Sequence, residues 1–161
     1  MGTMTFSFAF VGLSADLKQI INEIEADLQK VPNPEKKPDP KHWSPKEIIG
    51  HLIDSAANNH QRFVRGAQQK GGAFPTYDQN FCVDFQQPNA VDWETLIALW
   101  ANYNRYIAHV LSQMPPGAEK FQVTVGDTPL SLLFVAQDYV EHLKHHLNQI
   151  VGKKYKTTYG A

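Results

Sequence analysis

Apolar residues recur at helical spacing in four stretches of the chain, each bounded by residues that start or stop helices. In the first stretch Leu17, Ile20, Ile21, Ile24, Leu28 and Val31 follow an i, i+3, i+4, i+7 stripe, with Asp16, Lys18, Glu23 and Asp27 on the other face. This predicts a helix over about 14–31. Pro32, Pro34, Pro38 and Pro40 then exclude regular structure and leave an extended link. Ser44-Pro45-Lys46-Glu47 is a capping box with proline at the first helical position, and Trp43 is placed to staple onto Ile48, so a second helix runs over about 44–69. Asp92 caps a third, over about 92–113, carrying Leu96, Leu99, Trp100, Tyr103, Ile107, Val110 and Leu111 and stopped by Pro115-Pro116-Gly117. Phe121 to Val125 alternates as a short extended segment would. Thr128-Pro129 repeats the cap-plus-proline signal and predicts a fourth helix over about 129–151, ended by Gly152.

Two segments lack a clean period. Helix two bears a second, polar stripe of His51, Ser55, Asn58, Asn59 and Arg62; such a stripe ordinarily faces water, and lining an interior site is the alternative. Residues 70–90 show no sustained repeat, yet Phe74, Tyr77, Phe81 and Phe85 need somewhere to pack. They predict an ordered crossover over one end of the molecule, bringing Asp78, Asn80, Cys82 and Asp84 near its mouth and shaping any pocket there. Four helices with one long link between the second and third give an all-α, four-helix bundle of up-down-down-up topology, formed as one domain over 1–161.

The 161 residues are enough to bury a substantial core, and 42% apolar against 19% charged is ordinary globular composition. Lys plus Arg (15) nearly balances Asp plus Glu (16), so no overall field draws the protein to nucleic acid or an anionic membrane. Cys82 is the lone cysteine, which excludes an internal disulfide and any multi-cysteine zinc site and fits a reducing compartment. With no base placed beside it by sequence, Cys82 reads as a loop or packing residue rather than a nucleophile. Met4 to Leu13 is apolar but too short to span a bilayer and lacks a basic flank. The expectation is a cytoplasmic protein. Lys153-Lys154-Tyr155-Lys156 reads as a solvated basic tail favourable to the last helix's dipole.

The chemistry concentrates in the last helix, where His142, His145 and His146 fall within five residues. His142 and His146 are four apart, which puts them on one face about 5–6 Å apart at Cβ, close enough to share an ion. His51 sits early in helix two; if helix four runs antiparallel to it, three imidazoles converge inside the bundle. His145 points away from the pair and is expected to be exposed or to touch another subunit. Three neutral imidazoles leave an ion's charge uncompensated and a coordination position open, favouring an anion such as hydroxide or a thiolate. Asp138, one turn before His142, and Asp54, one turn after His51, are candidates to orient the imidazoles; Glu47 is spoken for by its capping box. Arg62 and Arg105 are candidates to bind an anionic substrate group from inside the bundle, with a surface position the alternative, and Tyr139 either lines the pocket or belongs to the core.

Trp43-Ser44-Pro45-Lys46-Glu47-Ile48-Ile49-Gly50-His51-Leu52-Ile53-Asp54-Ser55, followed about ninety residues later by His142-Leu143-Lys144-His145-His146, resembles the DinB-like superfamily, in particular its YfiT-like branch of metal-dependent hydrolases and bacillithiol S-transferases. The resemblance covers essentially the whole chain. It implies a four-helix bundle, metal ligands at His51, His142 and His146, a divalent ion such as zinc or nickel, and frequent dimers. Asp54 matches the family's His-Leu-x-Asp pattern. The implied function is a metal-dependent hydrolase or a small-thiol S-transferase acting on a small molecule, here as a homodimer with no nucleic-acid or membrane partner. The alternative is a non-catalytic, stress-related bundle that binds metal or a small molecule.

Overall fold

The computed structural model describes residues 5–68 and 71–159. Met4, Gln69 and Lys70, which the sequence reading placed in the apolar N-terminal run, at the end of helix two and at the start of the crossover, lie outside the described residues.

Four long helices are built from the four periodic stretches: α1 (Phe8–Gln29), α2 (Pro45–Gly66), α4 (Trp93–Ser112) and α5 (Leu132–Val151). Between them lie β1 (Ala73–Phe74), α3 (Gln79–Gln86), β2 (Gln122–Val125) and β3 (Thr128–Ser131). Side-chain contacts give the directions. Ser14 bonds the Ala108 carbonyl while Trp93 Nε1 donates to the Leu28 carbonyl, so α1 and α4 are antiparallel. Lys46 reaches the Val91 carbonyl and His60 meets Tyr103, so α2 and α4 are parallel. His51 meets His142 while Phe63 packs on Tyr139, so α2 and α5 are antiparallel. The result is the up-down-down-up bundle that the long crossover predicts, with Trp100, Phe10, Phe63, Leu17, Ile49 and Leu111 fully buried between the helices.

The start of α2 is fixed to the residue. Ser44 Oγ accepts from the Glu47 amide (3.2 Å), and the Glu47 carboxylate accepts from the Ser44 amide (2.8 Å). That reciprocal cap fixes where α2 begins, and burial of Ile49, Leu52, Ala56 and Phe63 sets the face from which His51 projects. Gly50 sets how closely the crossover approaches: a Cβ there would lie 2.5 Å from Pro88 Cγ and 2.9 Å from its Cβ. A proline ring cannot rotate aside, so Gly50→Ala should destabilise the protein by about 1–3 kcal/mol, although alanine is the better helix former by about 1 kcal/mol. Urea unfolding of the two proteins measures this; an unchanged or raised midpoint would show that the crossover is not pinned at Pro88.

Three expectations are corrected. α1 begins at Phe8, not near residue 14, because Phe10 and Leu17 extend the same buried stripe. Thr128-Pro129 does not open a helix: β3 pairs antiparallel with β2, Val125 facing Thr128 and Gln122 facing Ser131 around a turn at Gly126, whose φ is +60°. Pro129 is tolerated because β3 is an edge strand, and Ser131, accepting from the Phe134 amide (3.1 Å), is the cap of α5. β1 adds to β2 in parallel, and α3 gives the crossover a helix its composition did not announce. No described helix is long and apolar enough to cross a membrane.

Candidate metal centre

The cap of α2 and the antiparallel run of α5 bring His51, His142 and His146 together at one end of the bundle. His142 Nε2 lies 3.1 Å from His51 Nε2 and 3.1 Å from His146 Nε2. One ligand atom from each of the three lies within 4.8 Å of the others. Imidazole nitrogens bound at about 2.0–2.1 Å to a tetrahedral ion stand about 3.3 Å apart, so the donor set fits a divalent metal in type and in spacing.

The protonation states fit as well. Burial, followed by the neighbouring imidazoles, pushes His51 down to about 3. Burial likewise brings His142 and His146 down to about 4, followed for His142 by the nearness of the His145 imidazole and for His146 by that of His142. All three are therefore neutral at pH 7, as metal ligation requires. Gln149 Oε1 lies 2.8 Å from His146 Nδ1 and accepts its proton, which leaves the Nε2 lone pair facing the other two rings. His51 Nδ1 is buried with no hydrogen-bond partner among the described residues.

Aromatic groups enclose the cluster on both sides. The Trp43 indole lies over His51 (ring centroids 4.9 Å) and reaches His146 (6.2 Å). Tyr159 packs edge-on to His142 (5.9 Å), and its hydroxyl bonds Asp138. Burial and the Asp138 carboxylate push that phenol well above its ordinary value, so it stays neutral. Beside His146 opens a cleft of about 560 Å³, walled by Pro38, Asp39, Lys41, His42, Trp43, Ile48, Asn80 and Gln149. A second, of about 600 Å³, lies where the C-terminal segment crosses α5, with His145, Gln149 and Tyr159 among its walls.

The other candidates fall out differently. Neither Asp54 nor Asp138 is hydrogen-bonded to an imidazole among the described residues. Both Asp54 oxygens accept from Gln86 Nε2 (3.0 and 2.9 Å), tying α3 to α2, and burial raises the carboxyl. Asp138 reaches the cluster only through Tyr159. Arg105 is turned to the outer surface and ion-paired with Glu25 of α1, so it does not serve the bundle interior. Tyr139 is core: 2% exposed, it bonds Asn104 and packs on Phe63. Arg62 is half-buried, bonded to Asn59 Oδ1 at 3.3 Å. His145 stays out of the convergent trio, as expected from its rotation, but it is half-buried against Tyr159 rather than freely exposed.

Two contributors were missed. Gln149 had a signal, since it sits one turn after His146 on the same helix. Tyr159 had none, because the basic tail read as solvated. The tail instead folds back along α5, with Thr157 Oγ1 bonding the Glu141 carbonyl (3.2 Å), the Thr158 amide bonding Glu141 Oε2 (2.9 Å) and Lys154 pairing with Asp27 (2.7 Å). The cleft beside His146 is walled mainly by the proline-rich link, not by residues 74–85, of which Asn80 alone contributes.

A four-helix bundle with three neutral imidazoles gathered from two of its helices, and a cleft leading to them, defines a class of α-helical protein built to hold an ion at one end of the bundle. The particular family follows from sequence: residues 14–150 match the DinB superfamily model, and the chain belongs to that superfamily. Among solved structures it is similar to YfiT from Bacillus subtilis, described as a probable metal-dependent hydrolase with an unusual four-helix bundle topology. That match has 20% identity and a TM-score of 0.73, and covers 85% of this chain and 83% of the other. Comparison with curated proteins gives no significant match.

Proposed function

We propose that the protein is a metal-dependent enzyme in which His51, His142 and His146 hold one divalent ion, zinc or nickel, beside a cleft that admits a small-molecule substrate. The observation that carries this is the convergence of three neutral imidazoles, one buried and two half-buried, at ligand spacing, with Gln149 holding one of them in the ligating tautomer. Membership of the superfamily and the fold shared with YfiT support it.

A divalent ion bound there supplies positive charge that favours the deprotonated form of an oxygen or sulfur donor. The chain supplies the rest. Trp43 and Ile48 give the cleft an apolar wall that orients a substrate and excludes water from one side. Lys41, exposed at its rim, is available to an anionic group. His42 Nδ1 is held by the Asp39 carboxylate at 2.5 Å, which fixes the ring on the cleft wall and leaves Nε2 free to hydrogen-bond a substrate.

Two reactions suit this arrangement: hydrolysis of a small substrate, and transfer of a low-molecular-weight thiol. In the transfer the thiol sulfur forms a bond to an electrophilic carbon, the leaving group departs with the bonding electrons, and the thiol proton passes to solvent. Cytoplasmic location and a homodimer belong to the same reading, and the lone cysteine fits a reducing compartment.

The test is thiol consumption with a panel of small thiols and an activated aryl halide, run beside hydrolysis of activated esters and amides. Each assay is run with and without a chelator. The expected result is one activity falling at least tenfold on chelation and returning on addition of zinc or nickel. Turnover of neither class, in protein shown to carry metal, would overturn catalysis in favour of a metal-binding bundle.

A further inference from the structure

The polar stripe of α2 does not end at the histidines. Along this helix His51, Ser55, Asn58 and Arg62 are spaced so that Arg62 returns to within about 20° of the His51 direction, roughly 16 Å farther along the axis. Arg65 lies within about 40° of the same direction on the other side. At that far end the two arginines, with Asn58, Gln61, Phe74 and Pro75, line a cleft of about 300 Å³.

The lining is chemically one-sided, with two guanidinium groups, two carboxamides and no carboxylate. Among the described residues neither arginine forms an ion pair. Arg62 Nε is buried with no hydrogen-bond partner. Its single hydrogen bond to a side chain is the one from Nη1 to Asn59 Oδ1, at 3.3 Å. Arg65 lies over the Phe74 ring at 4.9 Å, which fixes the plane of its guanidinium while leaving N–H groups at the edge. Burial lowers Arg62 from its ordinary value, with Tyr77 and Asp138 only partly offsetting this, and Asp138 forms no ion pair with it and is already engaged by Tyr159. Arg62 Nη2 and the N–H groups of exposed Arg65 are left for an incoming oxyanion, and the lining sets no carboxylate against its charge.

We propose that the Arg62–Arg65 cleft is an oxyanion site, taking the carboxylate or phosphate of a small acidic ligand. The site lies apart from the cleft at the histidine cluster and does not depend on the metal-dependent reading above.

The test is isothermal titration of inorganic phosphate, and separately of succinate, into three proteins: the parent, Arg62→Gln/Arg65→Gln and His142→Ala. Saturable binding to the parent, at least tenfold weaker in the double arginine variant and retained in His142→Ala, is the expected result. The two anions tell which oxyanion is preferred. Arg62→Lys, which keeps charge but not the planar fork, should fall between parent and double variant and guards against reading a folding defect as lost binding. Binding of both anions unchanged in the double arginine variant, or no saturable binding to the parent, would overturn the site. Loss of binding in His142→Ala alone would place the anion at the histidines and equally overturn it. A failure of the metal reading, seen as absent metal, leaves this outcome untouched.

Discussion

Replacing His142 with alanine should take the protein, purified without a polyhistidine tag, from close to one equivalent of bound divalent metal to less than about a tenth. His142 is the residue to remove because its Nε2 is the shared neighbour of the other two, 3.1 Å from each; without it two imidazoles remain on two different helices. Loss of a group that merely orients a ligand costs about 10–100-fold in affinity, and loss of a ligand should cost more. A graded series follows. Gln149→Leu leaves all three imidazoles in place but frees the His146 tautomer, and should weaken binding by about 10–100-fold without abolishing it. His145→Ala, outside the trio, should change metal content little. Elemental analysis of the four proteins, with far-ultraviolet circular dichroism to confirm helicity, makes the measurement. Equal metal in parent and His142→Ala would sink the site.

That series depends on distinctions the sequence carried only in part. The rotation dividing His142 and His146 from His145 is a property of the helix alone and could be read from spacing. The entry of His51 was legible because Ser44 and Glu47 mark the first residue of α2 through hydrogen bonds local in sequence. Where a decision rested on which neighbour a helix face meets, the pattern failed. Arg105 could have faced inward or outward; only the packing of α1 against α4, which brings Glu25 to it, decides. Thr128-Pro129 has the chemistry of a helix start, and what overrides it is non-local, the pairing of Thr128–Ser131 with Gln122–Val125. Tyr159 is the extreme case. Its place over His142 depends on a tail held by Glu141 and Asp138, contacts with no periodic signature.

The fold and the site are bound by a common cost, since the helices that deliver three imidazoles to one point also remove them from water. An apolar core would tolerate this end of the bundle better without them. They cluster with like neighbours, His51 Nδ1 stays unsatisfied, and each ring resists protonation. Such an arrangement weakens the empty protein and is relieved when an ion takes the lone pairs.

Metal-stripped protein should therefore lose stability steeply between about pH 6.5 and pH 4. In the unfolded chain the three histidines bind protons near their ordinary value of 6.5; in the folded protein they do so only near 3 for His51 and 4 for His142 and His146. Across that interval the unfolded state holds more protons, so each step down in pH favours unfolding. The slope reaches at most about 1.4 kcal/mol per pH unit for each fully shielded histidine and is less for His142 and His146, which are half-buried. A total of several kcal/mol is a large share of the 5–15 kcal/mol typical of a folded domain. Acidic groups held below their ordinary values by hydrogen bonds, such as Asp27 beside Lys154 and Asp39 beside Lys41, contribute only at lower pH, because their stabilisation is lost below about 4. The two effects separate along the pH axis. Urea unfolding midpoints of chelator-treated protein from pH 7.5 to pH 4 should fall continuously, and His51→Gln, which keeps the volume but cannot charge, should flatten the curve. A midpoint independent of pH above 4.5 in the metal-free parent would show that these imidazoles are not shielded from water, and with that the case for a preformed metal site would fail.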